Sequence, residues 1–457
     1  MSQFDLIVIG TGAGLEVSSA AAAEGWQVAV IEEGPFGGVC LNSGCIPSKL
    51  LIRSADVKDL VDRAHLWGIN AEVKNVNWGA IIEAVNHEVD SEAAQIEAAN
   101  AEAENITVIR GRARFSGEKT LVVGETEVTA PYIVIAAGSR PRVPEIAGLA
   151  EAPYLTSDDA MRLEQQPRKM AILGGGFVAA ELAHFFGTLG TDVTIVQRSG
   201  LLLRHEDDDI SRTFTRELQD RFEVCLDTAV REVEYEDGQF RLRLNHQGEA
   251  QPLTCDALLI AAGRVPNTDT LEVSAAGVET DDEGFVRTNK YLETTVPGIW
   301  ALGDIAGYYM LRHNSNLEAS HVANNLLNPE KRIAVDHHGM PHAVFASPQV
   351  GSVGITEAEA ERRGKPYLVG RAEYSDVTYG MALRDESGFV KVIVDEESGE
   401  VLGCHILGTD ASILVQEAAL LIRHHLPYDA ITSSVYIHPA LPEVVQRAFS
   451  AVHSHAH

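Results

Sequence analysis

The architecture of this 457-residue chain can be predicted from the segment Asp5-Leu-Ile-Val-Ile-Gly10-Thr-Gly12-Ala-Gly14-Leu15. A short apolar run that ends in glycine is typical of a buried parallel strand, and the alanine-rich residues that follow predict a helix. Gln27-Val-Ala-Val-Ile-Glu32 predicts the next strand and completes a βαβ unit. Glycines at such a turn let the backbone approach a pyrophosphate, and Glu32 is placed to hydrogen-bond a ribose hydroxyl. The segment predicts a dinucleotide site, although Leu15 stands where the strict fingerprint has glycine.

The same pattern recurs about 164 residues further along the chain. There the loop Gly174-Gly-Gly176-Phe-Val-Ala179 follows a strand-like run and precedes a helix predicted from Phe177 to about Leu189. Downstream of the two loops, the matching runs Ile133-Val-Ile-Ala-Ala137-Gly138 and Leu258-Leu-Ile-Ala-Ala-Gly263 each predict a closing strand. Two such units in one chain imply two dinucleotide-binding domains.

The end of the last strand in the second unit indicates which nicotinamide cofactor is used. Val196-Gln197-Arg198 stands where an acidic residue would bind the ribose 2′-hydroxyl of NADH. Gln197 carries no charge, whereas Arg198 and Arg204 can pair with a 2′-phosphate. The pattern favours NADPH, and the alternative is that both arginines are solvated surface residues.

Of the five cysteines, only Cys40 and Cys45 are close in sequence, in the motif Gly37-Gly38-Val-Cys40-Leu-Asn-Ser-Gly-Cys45-Ile-Pro-Ser-Lys49. Four residues separate the two thiols, which is a short enough loop to close a disulfide. A helix is predicted to start near Cys45, and its dipole together with Lys49 would lower the pKa of a thiol and favour a thiolate. The motif therefore predicts a redox-active pair, and the alternative is a buried structural pair.

Composition excludes several classes of function. A net charge of −30 argues against nucleic acid as a partner, because phosphate binding needs a basic surface. No apolar run reaches the roughly 18 residues that cross a bilayer, and the first strand follows the start so closely that we expect no signal peptide and a cytoplasmic protein. Nine lysines against twenty-seven arginines resemble the surfaces of proteins from extreme halophiles, the alternative being an ordinary acidic protein.

These motifs together resemble the class I pyridine-nucleotide disulfide oxidoreductases, the family of glutathione reductase, dihydrolipoamide dehydrogenase, mercuric reductase and mycothione reductase. The resemblance runs from Gly10 through Gly303-Asp304 to His438-Pro-Ala-Leu-Pro-Glu443. It implies an α/β fold with two Rossmann-like domains, for FAD and NADPH, and a C-terminal mixed α/β dimerisation domain in a homodimer. The implied domains are 1–150 for FAD, 151–270 for NADPH, 271–338 for a central segment that returns to the FAD side, and 339–457 for dimerisation.

The resemblance also implies which residues act on the disulfide. Cys40 would be the interchange thiol that attacks the substrate, and Cys45 the charge-transfer thiol that lies against the flavin. His438 would be the acid–base acting on the cysteines of the other subunit. Its implied orienting residue is Glu443, and the implied ion pair near the reactive edge of the flavin is Lys49 with Glu181.

Residues that would hold the cofactors are implied in the same way, and no metal is. Asp304 would bind the ribityl chain of FAD, and Glu32 would bind its adenosine ribose. The full implied set is Gly10, Gly12, Gly14, Glu32, Gly38, Ala137, Gly138, Gly303 and Asp304 for FAD, with Gly174, Gly176, Ala179, Arg198, Arg204, Gly263 and Arg264 around NADPH and the domain junction.

Several substrates are disfavoured by what the sequence lacks. The two arginines that bind glutathione in glutathione reductases correspond to Ala20 and to Ser320 or His321. No cysteine follows Cys404, which disfavours mercuric reductase and large thioredoxin reductases. The cysteine motif also suits dihydrolipoamide dehydrogenase, a component of multienzyme complexes, but that enzyme normally uses NADH.

The remaining comparison is between small-thiol reductases. Tyr309-Met-Leu-Arg-His313-Asn-Ser-Asn316-Leu-Glu318-Ala319 is most similar to mycothione reductase, but mycothiol is an actinobacterial thiol and this composition resembles that of a halophile. Loss of the arginine for the glycine carboxylate fits bis-γ-glutamylcystine, the disulfide of a glutathione without its glycine. We therefore expect reduction of bis-γ-glutamylcystine to γ-glutamylcysteine. The alternatives are dihydrolipoamide dehydrogenase, mycothione or glutathione reductase, and a quinone-reducing flavoprotein with vestigial cysteines.

Overall fold

The computed structural model of the protein describes residues 2–454. Met1 and residues 455–457 lie outside the described residues; they belong to the ends of the predicted domains 1–150 and 339–457.

The first βαβ unit forms part of a parallel five-stranded sheet. Its strands, in spatial order, are Ile299–Ala301, Tyr132–Ile135, Leu6–Ile9, Val28–Glu32 and Ile106–Arg110. The strand Ile299–Ala301 reaches this sheet from far along the chain and pairs in parallel with Tyr132–Ile135.

The second βαβ unit forms a parallel four-stranded sheet. Its strands, in spatial order, are Glu223–Cys225, Asp192–Val196, Lys169–Leu173 and Ala257–Ile260. Three smaller sheets accompany the two units. The first has four strands, in the order Ser2–Gln3, Thr126–Thr129, Thr120–Val123 and Ala113–Gly117. The second has three, Thr228–Glu236, Gln239–His246 and Glu249–Cys255, and the third pairs Arg264–Pro266 with Ser139–Pro141.

The C-terminal part has a different architecture. Its six-stranded antiparallel sheet consists, in spatial order, of His342–Val344, Val350–Gly354, Val401–Leu407, Phe389–Asp395, Tyr367–Glu373 and His453–Ser454. The helices Ala411–Arg423 and Glu443–Ser450 pack on this sheet through buried aliphatic residues such as Val415, Val444 and Phe449. This part of the chain thus contains the mixture of helices and strands that was predicted from residue 339 onward.

The helices occupy the faces and edges of these sheets. They are Gly14–Ala23, Gly38–Ser43, Cys45–Asp62, Trp78–Glu102, Ser157–Ala160, Phe177–Thr188, Asp208–Gln219, Arg312–Leu327, Glu357–Arg363, Thr378–Leu383, Ala411–Arg423, Asp429–Thr432 and Glu443–Ser450. Short 3-10 helices span Ala64–Trp67, Val273–Ala276, Gly303–Ala306, Pro329–Lys331 and Tyr374–Asp376. Within residues 2–454, no helix combines the length and the apolar character that crossing a bilayer requires.

Candidate active site

A cavity of about 500 Å³ lies at the carboxyl ends of the parallel strands Leu6–Ile9 and Val28–Glu32. Ligands of open α/β sheets bind at this edge, outside the ends of the strands. Both cysteines of the motif line the cavity, as do predicted FAD residues from four separate segments of the chain. The predicted residues on its wall are Gly10, Gly12, Glu32, Gly38, Ala137, Gly138, Gly303 and Asp304, together with Arg264.

The first glycine loop approaches the neighbouring strand more closely than any side chain would allow. Gly10 has φ +97°, and an added Cβ would lie 2.4 Å from the carbonyl oxygen of Ala136. An added Cβ on Gly14 would lie 2.8 Å from Val8 Cγ1, so Gly14 provides close packing between helix and strand although Leu15 stands at the last glycine position of the fingerprint. The loop therefore presents bare backbone and a helix N-terminus to the cavity, which fits a dinucleotide pyrophosphate.

Two carboxylates are fixed at the cavity wall. Glu32 accepts hydrogen bonds from the Thr11 N–H at 2.9 Å and the Thr11 hydroxyl at 2.7 Å. Asp304 accepts a 2.5 Å hydrogen bond from the Ser139 hydroxyl, to which Arg264 also donates at 2.7 Å. Arg264 thus holds Ser139 and Asp304 in register. The carboxylates and the glycine loop form a donor and acceptor set that fits FAD, and their contact with that cofactor stays a prediction.

Two residues were not predicted as site residues from the sequence: Ser139, which lies on this wall, and Glu318, which hydrogen-bonds Gly303. Glu318 is fully buried and accepts a 2.6 Å hydrogen bond from the N–H of Gly303, so it fixes the backbone that carries Asp304. Glu318 also accepts from Asn314 Nδ2 at 2.9 Å on the same helix. A buried acid four residues after an asparagine carries no sequence signal by itself, because only the fold brings it beneath Gly303.

Cys40 and Cys45 face each other across a break between two helices. Cys40 lies on Gly38–Ser43, Cys45 is the first residue of Cys45–Asp62, and both are free thiols. A hydrogen bond between the two side chains, assisted by the Lys49 ammonium, lowers the pKa of Cys45 to about 7. The same hydrogen bond, together with burial, raises the pKa of Cys40. The lowered pKa favours a thiolate at Cys45 and the raised pKa keeps the proton on Cys40, while the catalytic roles of the two cysteines stay predictions.

The ion pair implied for Lys49 and Glu181 is formed in the structure. Lys49 Nζ lies 2.7 Å from Glu181 Oε2, and the Glu181 side chain is only 5% exposed. Phe345 supports the pair twice: its N–H donates to Glu181 Oε1 at 2.9 Å, and its ring lies 4.7 Å from Lys49 Nζ. Three segments distant in sequence meet here, and Phe345 is a further residue that the sequence gave no reason to select.

The second glycine loop has the geometry of the first. Gly174 has φ +130°, and an added Cβ would lie 2.1 Å from the carbonyl oxygen of Ala261. Gly176 caps the helix Phe177–Thr188, in which Ala179 is fully buried. This backbone can receive a second pyrophosphate. Gly263 also has a positive φ, of +105°, at the end of the predicted closing strand.

The residues predicted to select NADPH lie at the surface beyond this loop. The amide of Gln197 is held within its own turn by a 2.8 Å hydrogen bond from Nε2 to the Ser199 hydroxyl. Arg198 and Arg204 are exposed, and neither forms an ion pair with a carboxylate in the described part of the chain. Both guanidinium groups are therefore available to an added phosphate, and their role stays a prediction.

His438 and Glu443 are paired but stand away from the cysteines of their own chain. His438 Nδ1 lies 2.8 Å from Glu443 Oε1, and this hydrogen bond holds the pKa of Glu443 below its usual value. The His438 side chain is 73% exposed. His438 does not belong to the described residues that line the cavity of its own chain. Among residues 2–454 of one chain, no histidine lines the cavity that contains Cys40.

Comparisons with known proteins match nearly the whole length of the chain. The family model for "Pyridine nucleotide-disulphide oxidoreductase" matches residues 4–319, and that for the dimerisation domain of the same family matches residues 340–449. The chain is 39% identical over 460 residues to mycothione reductase of Mycobacterium tuberculosis, which covers 98% of this chain and 99% of the relative. It is 32% identical over 464 residues to dihydrolipoyl dehydrogenase of Haloferax volcanii, which covers 97% and 95%.

A solved structure shares the fold over nearly the full length. The Cu(II) complex of the HOCl-induced flavoprotein disulfide reductase RclA from Escherichia coli superposes with a TM-score of 0.88 at 29% identity, covering 98% of this chain and 99% of that one. The α/β fold predicted from the two glycine loops is confirmed, and the predicted family is confirmed with it.

Proposed function

The chain belongs to the pyridine nucleotide-disulphide oxidoreductases, FAD-containing enzymes that draw on NAD(P)H, and from this premise we propose that it uses NADPH to reduce bis-γ-glutamylcystine. The reaction consumes NADPH, one proton and the disulfide, and it yields NADP⁺ and two molecules of γ-glutamylcysteine. The observation that carries the disulfide chemistry is the Cys40–Cys45 pair, in which one thiol already has a pKa of about 7. A structural pair would have no need of a thiolate.

The two cysteines have different tasks in this proposal. FAD, when bound, supplies the carrier through which two electrons pass from NADPH to the cysteine pair. The Cys40 thiolate attacks one sulfur of the substrate, which forms a mixed disulfide and breaks the substrate S–S bond. The thiolate of Cys45 then attacks Cys40 Sγ, which restores the Cys40–Cys45 disulfide and releases the second thiol.

The proton transfers require a second copy of the chain. Cys40 must lose the proton that its hydrogen bond to Cys45 retains, and the first leaving thiolate must gain one. His438, exposed and oriented by Glu443, is the base and acid suited to both steps if it reaches the cavity of a partner. The match to a dimerisation domain at residues 340–449 supports a homodimer in which each copy supplies His438 to the other.

Two exposed arginines support the choice of NADPH, and the absence of the glutathione-binding arginines supports the choice of substrate. Arg198 and Arg204 are exposed cations that form no ion pair within residues 2–454, which suits the 2′-phosphate of NADPH. At the positions of the glutathione-binding arginines stand Ala20 and either Ser320 or His321, and none of them is an arginine. The identity of 39% to mycothione reductase favours mycothione as the second candidate substrate.

The test is a matrix of two cofactors and four disulfides at high KCl. NADPH and NADH oxidation is measured with bis-γ-glutamylcystine, glutathione disulfide, mycothione and lipoamide. We expect turnover with NADPH and bis-γ-glutamylcystine, loss of turnover in Cys40→Ser, and retention in the matched variant Cys225→Ser, because Cys225 lies on the strand Glu223–Cys225 outside the cavity. NADH turnover with lipoamide would instead identify a dihydrolipoamide dehydrogenase, and activity surviving Cys40→Ser would reject the disulfide mechanism.

A further inference from the structure

Two histidines and a glutamate from three separate segments meet on the surface of the C-terminal part, outside the cavity. One ligand atom from each of His338, Glu400 and His425 lies within 4.8 Å of the other two. The rings of His338 and His425 stack with their centroids 4.6 Å apart and 7° between their planes. His425 Nδ1 also lies 2.6 Å from Glu400 Oε1. None of the three belongs to the described residues that line the cavity around Cys40 and Cys45.

The loop that carries His338 is attached to the end of a helix. Arg423 is the last residue of the helix Ala411–Arg423. Its Nη1 donates hydrogen bonds to the carbonyl oxygens of Asp336 at 2.6 Å and His338 at 3.0 Å. Gly339 has φ +67°, and a Cβ added to it would lie 3.1 Å from the backbone nitrogen of Arg423. The loop and the helix end are therefore in direct contact, which fixes the backbone of His338.

The backbones of Glu400 and His425 are fixed as well. Glu400 forms an isolated β-bridge with Pro427, and its carbonyl oxygen accepts from the Asp395 N–H at 2.9 Å. His425 has φ +52°, a conformation that residues other than glycine rarely adopt, and its N–H donates to the Ile422 carbonyl oxygen at 3.1 Å. The fold thus brings the three side chains together, and a shared ligand requires only side-chain adjustment.

The ligand types suit a first-row transition metal ion. Imidazole nitrogen and carboxylate oxygen bind Zn²⁺ at about 2.0–2.2 Å, which separates neighbouring ligand atoms by about 3.4 Å in a tetrahedral shell. The required closure of about 1 Å is small, because the His338 and His425 side chains are exposed and free to rotate. Mg²⁺ and Ca²⁺ prefer oxygen ligands, so two imidazoles select against them.

The charges around the cluster favour a divalent cation. Asp336 Oδ2 lies 3.1 Å from Arg423 Nη1, so that neighbouring carboxylate is already neutralised. In the part of the chain that the structure describes, Glu400 pairs with His425 and with no lysine or arginine. When both imidazoles are neutral, the cluster therefore carries one uncompensated carboxylate, which attracts a cation.

We propose that His338, Glu400 and His425 bind one divalent transition-metal ion such as Zn²⁺, with water completing its shell. The ion joins the loop at the predicted boundary between the central segment and the dimerisation domain to the end of the helix Ala411–Arg423. It stabilises the folded protein by mass action, because the unfolded chain does not hold the three segments together. The inference goes beyond the proposed function and does not depend on it.

The test is titration of the FAD-loaded, oxidised protein with Zn²⁺ in competition with a chromophoric chelator at high KCl. Oxidation of Cys40 and Cys45 to a disulfide removes two competing thiolates, and the salt screens loose attraction of cations to an acidic surface. The parent variant for all measurements has alanine in place of His453, His455 and His457, which are a second possible source of zinc ligands. We expect this parent to bind one Zn²⁺ per chain, and a large excess of Mg²⁺ not to displace it.

Substitutions in the cluster should remove this binding. His338→Ala and His425→Asn should each weaken Zn²⁺ binding by at least about 10–100-fold, the loss that even an outer-shell partner causes. Asparagine is chosen at position 425 because it tolerates a positive φ. His87→Ala, at an exposed histidine of the helix Trp78–Glu102, is the matched control and should bind Zn²⁺ as the parent does. Zn²⁺ should raise the melting temperature of the parent and of the control, but not that of the two cluster variants.

Four results would overturn the inference. Binding that is already absent from the parent assigns the zinc to the histidines at positions 453, 455 and 457. Equal affinity in the parent, His338→Ala and His425→Asn excludes the cluster as the site. Displacement by Mg²⁺ shows loose binding to the acidic surface only. Sulfur ligands in the zinc X-ray absorption spectrum, in place of nitrogen and oxygen, place the ion on a cysteine.

Discussion

Replacing Lys49 with methionine should destabilise the protein more than replacing its partner Glu181 with glutamine. The two side chains are unequally exposed, 35% for Lys49 and 5% for Glu181. Breaking a buried ion pair by removal of one partner costs about 3–5 kcal/mol, because the remaining charge is uncompensated. In Lys49→Met the Glu181 carboxylate keeps the Phe345 N–H at 2.9 Å, so we expect a cost nearer to about 2 kcal/mol. Glu181→Gln leaves a lysine that still reaches solvent, at a cost of about 0.5–1 kcal/mol.

The assay is denaturant unfolding of the two single variants, the double variant Lys49→Met/Glu181→Gln and a matched control. Lys58→Met is that control, because Lys58 Nζ lies 2.6 Å from Asp62 Oδ2 on the same helix, where both side chains reach solvent. Such an exposed pair is worth about 0.3–0.5 kcal/mol. The double variant should recover most of the stability that Lys49→Met loses, since the buried charge is then gone. Equal losses in Lys49→Met and Lys58→Met, or no recovery in the double variant, would refute the reasoning.

Three further outcomes are expected. Gly10→Ala should purify without bound flavin, because its Cβ would lie 2.4 Å from a backbone oxygen, whereas Gly25→Ala, with nothing within 4 Å, should retain the flavin absorbance. Lys391→Met should cost about 3–5 kcal/mol in thermal unfolding, since it leaves Asp207, 1% exposed, without its cation; a wild-type melting temperature would contradict this. In the reduced protein, alkylation of Cys45 should be half-maximal near pH 7, below the ordinary thiol value of 9.0, and a midpoint at 9 would reject the thiolate. Because that pKa is lowered on folding, the thiolate stabilises the reduced protein fully above pH about 9 and loses this contribution as pH falls through about 7.

The sequence alone was sufficient to predict those parts of the fold that depend only on residues near one another in the chain. The loop that begins at Gly10 predicts its strand, turn and helix because only glycine can take a φ of +97° against the Ala136 carbonyl. The pair Cys40 and Cys45, five positions apart, had to meet wherever the chain turned from one helix into the next. The two βαβ units follow for the same reason, since hydrophobic periodicity and turn residues act over a few neighbours.

Tertiary structure alone decided which distant side chains share the cavity wall and which are left without a partner. Phe345 donates to Glu181 across 164 positions, and Glu318 accepts from the N–H of Gly303. Phe345 stands in no pattern that would mark it, and the stretch similar to mycothione reductase that contains Glu318 gives this residue no role. Arg312 reads in the sequence as one of twenty-seven arginines, and only the folded chain shows that no carboxylate among residues 2–454 reaches it. The physical reason is that pairing of charges depends on distance in space, which a linear sequence specifies only through the completed fold.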